Sequence, residues 1–185
     1  MSLIHALVGA VVLAFVLLLA GCQSGPRRGQ PPMPLAAVVD VDRFMGTWYV
    51  HGYTPTPIDP AAHNPTETYR RRDDGKIATT YRFNAGSFDG EEKVYHPVGR
   101  VHDPASQAER RMTFFGLITS PYLILAVDEA YETTVIGHPN RKLAWIMTRS
   151  PEISDETYER LRTELVRRDF DLSKLQRATH RPPQP

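Results

Sequence analysis

Few side chains in this sequence stand in an arrangement that would support bond-making chemistry. Its single cysteine, Cys22, can form no intramolecular disulfide. No serine nucleophile elbow, phosphate-binding glycine loop or metal-spaced histidine pair is present. Five of the seven histidines are scattered through the sequence after Cys22 as candidates, and a haem or metal ligand among them stays an open alternative: His51, His63, His96, His102 and His138. The sequence therefore predicts no catalytic residue, no metal site and no cofactor.

The thiol of Cys22 has one predicted modification, the attachment of a lipid. Residues 6–20 are almost wholly apolar, the length of a signal-peptide core and short of the roughly 20 residues that span a membrane. The run ends in Leu19-Ala20-Gly21-Cys22, which resembles the bacterial lipobox. This resemblance implies cleavage before Cys22 and acylation, with palmitate as an expected chain. Because Gln23 follows rather than Asp, it also implies the outer membrane, with the protein on the periplasmic face. An uncleaved N-terminal helix is the alternative.

Composition shifts divide the chain into four parts. We predict a lipoprotein signal peptide over residues 1–21, then a lipidated cysteine and a flexible tether rich in Pro, Gly, Gln and Arg over 22–38. One domain follows over 39–180, with a short tail at 181–185. The 22 basic residues nearly balance the 21 acidic ones, which argues against nucleic acid as a partner.

Short β-type runs separated by turn residues fill the domain. Asp73-Asp74-Gly75 joins the second and third runs as a tight hairpin, because Asp-Gly tolerates the positive φ of such turns. Eight runs are predicted as strands: 47–53, 66–71, 77–83, 92–102, 110–115, 122–127, 133–137 and 143–148.

The hydrophobic period changes to a helical one after the eighth run. Ser154 suits an N-cap, and the helix is predicted to continue to Arg168 with an apolar stripe that includes Leu161 and Leu165. A short final strand is predicted at 171–175. The expected fold is all-β: an eight-stranded up-and-down antiparallel β-barrel with one C-terminal α-helix packed outside, since closure removes both edges of the sheet. A two-sheet sandwich is the alternative.

Three blocks carry a resemblance to a known family. They are Gly46-Thr47-Trp48-Tyr49 on the first strand, Asp128-Glu129-Ala130-Tyr131 after the sixth, and Arg149 after the eighth. Together they resemble the lipocalin family, and further segments resemble its bacterial outer-membrane subgroup, relatives of apolipoprotein D. The resemblance implies a barrel that holds a small apolar ligand. It implies a structural role for the signature residues, which are Gly46, Trp48, Asp128, Tyr131 and Arg149.

Alternation along the strands selects the residues expected to face the barrel interior, once Tyr69 is taken as inward by the family pattern. These candidate cavity residues are Glu67, Tyr69, Tyr81, Phe83, Met112, Phe114, Trp145 and Met147. A solid core built from the same residues is the alternative. An inward Glu67 would favour ligands with a cationic or hydroxylated head over free fatty acids. A bulge or a solvated rim position for Glu67 stays equally open.

The function that follows is a carrier rather than an enzyme. We expect an envelope-anchored protein that reversibly binds small hydrophobic ligands, of which fatty acids and lysophospholipids are the expected classes. It would contact the membrane through its lipid anchor and exist as a monomer or weak dimer. A structural or interaction lipoprotein of the envelope is the main alternative, followed by a haem binder or a lipid-acting enzyme.

Overall fold

The computed structural model of this protein describes residues 32–181. The predicted signal peptide, Cys22, the first part of the predicted tether and residues 182–185 lie outside the described residues.

The described chain forms a closed antiparallel β-barrel. The first strand pairs with the second on one side and with the ninth on the other, so the sheet has no open edge between them. The predicted fourth strand is interrupted at His96-Pro97 and forms β4 and β5. Counted together as one strand, they give a barrel wall of eight strands, with the two-residue β10 added beside β1. The strands are β1 (Gly46–Tyr53), β2 (Ala62–Arg71), β3 (Ile77–Ala85), β4 (Glu92–Tyr95), β5 (Val98–Val101), β6 (Glu109–Phe114), β7 (Ile118–Val127), β8 (Thr133–Gly137), β9 (Ala144–Thr148) and β10 (Gln176–Arg177).

Two helices complete the described fold. The short helix α1 (Val41–Phe44) precedes β1, and Asp40 caps it by accepting a hydrogen bond from the Asp42 amide at 2.9 Å. The longer helix α2 (Asp155–Val166) starts after Ser154, whose hydroxyl oxygen accepts a hydrogen bond from the Thr157 amide at 3.1 Å, as the sequence predicted. No helix within residues 32–181 is long and apolar enough to cross a membrane.

Two hydrophobic clusters lie on opposite sides of the barrel wall. One fills part of the interior and includes Trp48, Ile77 and Met147. The other lies between the outer wall and α2, where Leu161 and Leu165 pack against outward side chains of β7 to β9. A Cβ atom on Gly137 would lie 2.4 Å from Cζ of Phe170, so only glycine lets this aromatic ring approach the wall. The helix therefore packs against the outside of the barrel, and its side chains do not occupy the interior.

One predicted element is wrong. The final strand does not lie at 171–175, where the Leu175 amide donates to the Leu172 carbonyl at 3.1 Å and closes a turn. Instead Gln176–Arg177 forms β10, which pairs with β1 at Gly52 and Tyr53. The turn places the short strand beside β1 a few residues later than the apolar pattern suggested.

Candidate ligand cavity

A cavity of about 370 Å³ opens at one end of the barrel. Its mouth is formed by the β1–β2 loop, including Pro55 and Ile58, and by the β6–β7 turn at Phe115. The size lies within the roughly 300–1,000 Å³ range of small-molecule sites. The wall is mostly apolar and aromatic, with a few hydroxyl and carboxyl groups, so it has room and surface for one small amphiphilic ligand.

Five of the eight candidate cavity residues lie on this wall. They are Glu67, Tyr81, Met112, Phe114 and Trp145. The other three are buried in the interior cluster without reaching the wall: Tyr69, Phe83 and Met147.

Glu67 lies on the cavity wall and retains 9% exposure. The Tyr69 hydroxyl donates a hydrogen bond to its Oε2 atom, and the Tyr122 hydroxyl lies 2.6 Å from that of Tyr69. Burial, followed by the negative charge of Asp59, raises the pKa of Glu67 to about 8. The surroundings of the carboxyl group therefore favour its protonated form.

Asp59 brings a second carboxyl group to the wall from the β1–β2 loop. Its Oδ1 atom accepts a hydrogen bond from the Thr56 amide at 2.8 Å, and its Oδ2 atom accepts one from the Tyr81 hydroxyl at 2.8 Å. Burial raises the pKa of Asp59, while the hydrogen bonds from Thr56 and Tyr81 oppose that rise. These bonds fasten the loop to β3 and hold one side of the mouth in place.

The other end of the barrel is closed by Trp48 beneath Arg149. The guanidinium carbon of Arg149 lies 3.8 Å from the centroid of the Trp48 ring, and the indole N–H donates to the Phe44 carbonyl at 2.9 Å. Gly46 has φ +95°, and a Cβ atom there would lie 3.2 Å from an Arg149 nitrogen. Glycine is therefore needed next to the arginine both for the backbone and for space.

Arg149 also ties several backbone segments together. It donates hydrogen bonds to the carbonyls of Arg43 at 2.9 Å, Met45 at 2.7 Å, Thr47 at 2.9 Å and Tyr131 at 3.2 Å. One side chain thus joins α1, β1 and the β7–β8 turn.

The predicted Asp128 and Tyr131 organise that turn. Asp128 Oδ1 accepts hydrogen bonds from the amides of Glu132 at 2.9 Å and Thr133 at 2.6 Å. The Tyr131 hydroxyl accepts one from the Asp40 amide at 2.7 Å. All five signature residues therefore lie together at the closed end, away from the mouth.

The model of the lipocalin-like domain family matches residues 39–180 of this chain. The chain belongs to the lipocalin family. This lipocalin is 31% identical over 173 residues to the outer membrane lipoprotein Blc of Citrobacter freundii, covering 91% of its own length and 92% of that protein. It is 30% identical over 174 residues to the Blc protein of Escherichia coli K12, covering 91% and 93%.

Solved structures agree on the fold. Insecticyanin from the tobacco hornworm Manduca sexta is similar with a TM-score of 0.62 at 19% identity, over 83% of this lipocalin and 86% of that chain. At this level of identity the likeness concerns the barrel architecture.

Arg110 is an interior residue of this lipocalin that is absent from the residues predicted to face the barrel interior. It is 1% exposed, and its guanidinium carbon lies 4.4 Å from the centroid of the Phe44 ring. None of its three guanidinium nitrogens has a hydrogen-bond partner. Burial lowers its pKa to about 10, so it still carries a charge at neutral pH. The alternation of side chains along β6 could have identified Arg110 as inward-facing, because it lies two residues before the inward-facing Met112.

Two of the predicted histidines, His51 and His102, have different surroundings in this lipocalin. His51 is buried, and its Nε2 atom donates to the Ser150 carbonyl at 3.0 Å, whereas His102 lies 3.9 Å from Glu109 at the surface. Within residues 32–181, no group of three or more His, Cys, Asp or Glu side chains is placed to hold a metal ion.

We expect His51 to destabilise the lipocalin in acid. Burial lowers its folded-state pKa from 6.5 to about 4, opposed by the Ser150 hydrogen bond and assisted by the charges of His180 and Arg177. The unfolded chain binds the proton first, so the stabilisation is present above about pH 6.5 and is lost as pH falls towards 4, by up to about 3 kcal/mol. Urea unfolding at several pH values measures this, and His51→Gln is expected to flatten the decline. An equal decline in the variant would contradict the assignment.

Proposed function

We propose that this lipocalin reversibly binds a single-chain amphiphile, such as a fatty acid or a lysophospholipid, in its barrel cavity at the cell envelope. The observation that supports this most strongly is the apolar cavity of about 370 Å³ with an open mouth at one end. A barrel that served only as an interaction surface would gain stability by filling that space.

The energetics of burial support the same proposal. Moving apolar surface from water into the cavity contributes about 25 cal/mol per Å². After the cost of association is deducted, one long acyl chain supports an affinity of about micromolar strength. Such an affinity permits both loading and release.

We propose that the ligand chain runs along the wall residues Tyr81, Met112, Phe114 and Trp145, with Glu67 near its polar group. Tyr69, Phe83 and Met147 would support these residues from behind, since all three are buried in the same cluster.

We further propose that residues 1–21 are removed and that Cys22 carries the lipid, with 22–38 as the tether to the domain. The lipobox resemblance of Leu19-Ala20-Gly21-Cys22 supports this. The Blc relatives, named outer membrane lipoproteins, favour the outer membrane as the location.

Native mass spectrometry of residues 23–185, purified from cells, tests the binding function. This fragment contains every element that the structure describes. We expect a discrete lipid adduct that one added class, lysophospholipid or fatty acid, displaces. A clean protein mass that stays unchanged at saturating concentrations of both would contradict the carrier function and favour the scaffold.

Filling the cavity should abolish binding without unfolding the barrel. Ser120 lies on the wall opposite Met112 on the neighbouring strand. Ser120→Trp places an indole in the empty space, and we expect affinity for an acyl chain to fall at least about 100-fold. The control is Val94→Trp, because Val94 is exposed on β4. Equal binding by both variants, measured by calorimetry, would show that ligands bind elsewhere.

A further inference from the structure

The described residues that line the cavity bring two carboxyl groups and no basic side chain to its wall. Glu67 and Asp59 both lie on it, whereas no Lys, Arg or His side chain does among the described residues that line it. A ligand that brings a carboxylate into this space would leave water without gaining a counter-ion, which is costly in an apolar site. A carboxylate head would therefore find no basic side chain among the described residues of this wall.

Glu67 has capacity for a ligand. The only hydrogen bond that the described residues give its carboxyl group comes from Tyr69 to Oε2, which leaves Oε1 without a protein partner. Asp59 differs, since both of its oxygens already accept hydrogen bonds. Glu67 is thus the group that a ligand head would contact.

Aromatic rings surround the same space. Tyr81, Tyr122 and Trp145 lie on the wall with Glu67. Ring faces attract cations, more strongly where water is excluded. They add to the preference that the carboxyl groups set.

Arg110 does not reverse this preference. Its guanidinium lies over Phe44 and is buried away from the cavity wall. A ligand in the cavity has no direct contact with that charge.

We propose that this lipocalin selects single-chain amphiphiles with a cationic ammonium head over those with a carboxylate head, and that Glu67 binds the ammonium group. This inference rests on the proposed function and narrows it to one class of ligand.

The titration of Glu67 gives the proposal a second signature. The groups that face it are Asp59 on the β1–β2 loop, Tyr69 on β2, Tyr81 on β3 and Tyr122 on β7, with Arg110 on β6 near Tyr122. Because its pKa is about 8, a cation must displace a proton at lower pH. Affinity for an ammonium probe should rise about tenfold per pH unit up to about pH 8 and then level off.

Three probes with the same ten-carbon chain test this: decylammonium, 1-decanol and decanoate. Calorimetric titrations of residues 23–185 at several pH values from about 6 to 9 give the affinities. At the alkaline end we expect decylammonium to bind at least about tenfold more tightly than decanol, and decanoate to bind most weakly. Equal affinities, or decanoate as the tightest ligand, would overturn this inference while leaving the carrier function intact. No binding of any probe would overturn both.

Matched variants locate the effect. Glu67→Gln should reduce decylammonium affinity at least about tenfold at high pH, remove its pH dependence and leave decanol affinity within about twofold. Glu129→Gln, at an exposed position, should change none of these values. An unchanged ammonium affinity in Glu67→Gln would overturn the assignment. So would decanoate binding that disappears in Arg110→Met, because it would identify Arg110 as the head-group contact.

Discussion

Replacing Arg149 by alanine is expected to lower the free energy of unfolding by about 4 kcal/mol. The truncation removes hydrogen bonds to four backbone carbonyls and uncovers the face of Trp48. Each hydrogen bond from a charged group contributes about 1.5–3 kcal/mol, and the cation–π contact adds about 1 kcal/mol, but the freed carbonyls regain part of this from water. Urea unfolding, followed by tryptophan fluorescence, measures the loss.

Two companion variants separate this contribution from a general effect of removing an arginine. Arg71→Ala removes an exposed ion pair with Asp42 and should cost less than about 1 kcal/mol. Arg149→Lys keeps the charge but lacks the planar fork that reaches several carbonyls, so its stability should lie between those of Arg149→Ala and the unchanged protein. If Arg149→Ala were no less stable than Arg71→Ala, the closed end would not depend on this residue.

Replacing Glu67 by glutamine is expected to stabilise the fold at alkaline pH by about 5 kcal/mol. The folded-state pKa is raised from 4.5 to about 8, so the folded protein keeps a proton that the unfolded chain has lost. The cost is absent below about pH 4.5, grows as pH rises and is complete above about pH 8. Glutamine keeps the shape and cannot ionise, so the alkaline decline should disappear. The free energy of unfolding at about pH 5 and pH 9 shows the difference.

The matched control for this experiment is the exposed Glu129→Gln, which should leave the pH profile unchanged. Comparing variants at each pH separates Glu67 from His51, whose titration acts in the opposite direction in mild acid. Parallel pH profiles for Glu67→Gln and the unchanged protein would mean that the carboxyl group is solvated in the folded state.

Much of the fold could be predicted because closure, alternation and capping leave local signals. The turn at Asp73-Asp74-Gly75 has the expected glycine at φ +75°, and Ser154 caps the helix that follows the last barrel strand. Proline is usual at the first residue of a strand or at an edge, but Pro121 lies within β7, which begins at Ile118, four residues before the predicted start at Tyr122.

The residues that line the cavity could be predicted only in part, because side chains on the same face of a strand lie at different depths in the barrel. Tyr69 packs against Phe44 near the closed end, with ring centroids 5.5 Å apart, and Met147 is fully buried. Phe83 is covered by the rings of Tyr81 and Tyr95, at 5.2 Å and 6.2 Å between centroids. Alternation places all three inside the barrel but does not say which inward residues border empty space.

The sequence indicates even less clearly which loop residues reach the cavity wall. Asp59 reaches the wall because its oxygens are held by Thr56 and Tyr81, and no strand period predicts that contact. A loop residue's position depends on the partner it finds across the barrel, which only the folded structure shows.

A fluorescence titration of residues 23–185 with 1-decanol tests the central claim most directly. The protein has two tryptophans: Trp48 is buried at the closed end and Trp145 lies on the cavity wall. We predict a saturable change in tryptophan fluorescence that corresponds to one decanol per protein. This change should persist in Trp48→Phe and be absent in Trp145→Phe. Absence of saturation, or a signal that follows Trp48 instead, would contradict a ligand-binding cavity at the open end of this barrel.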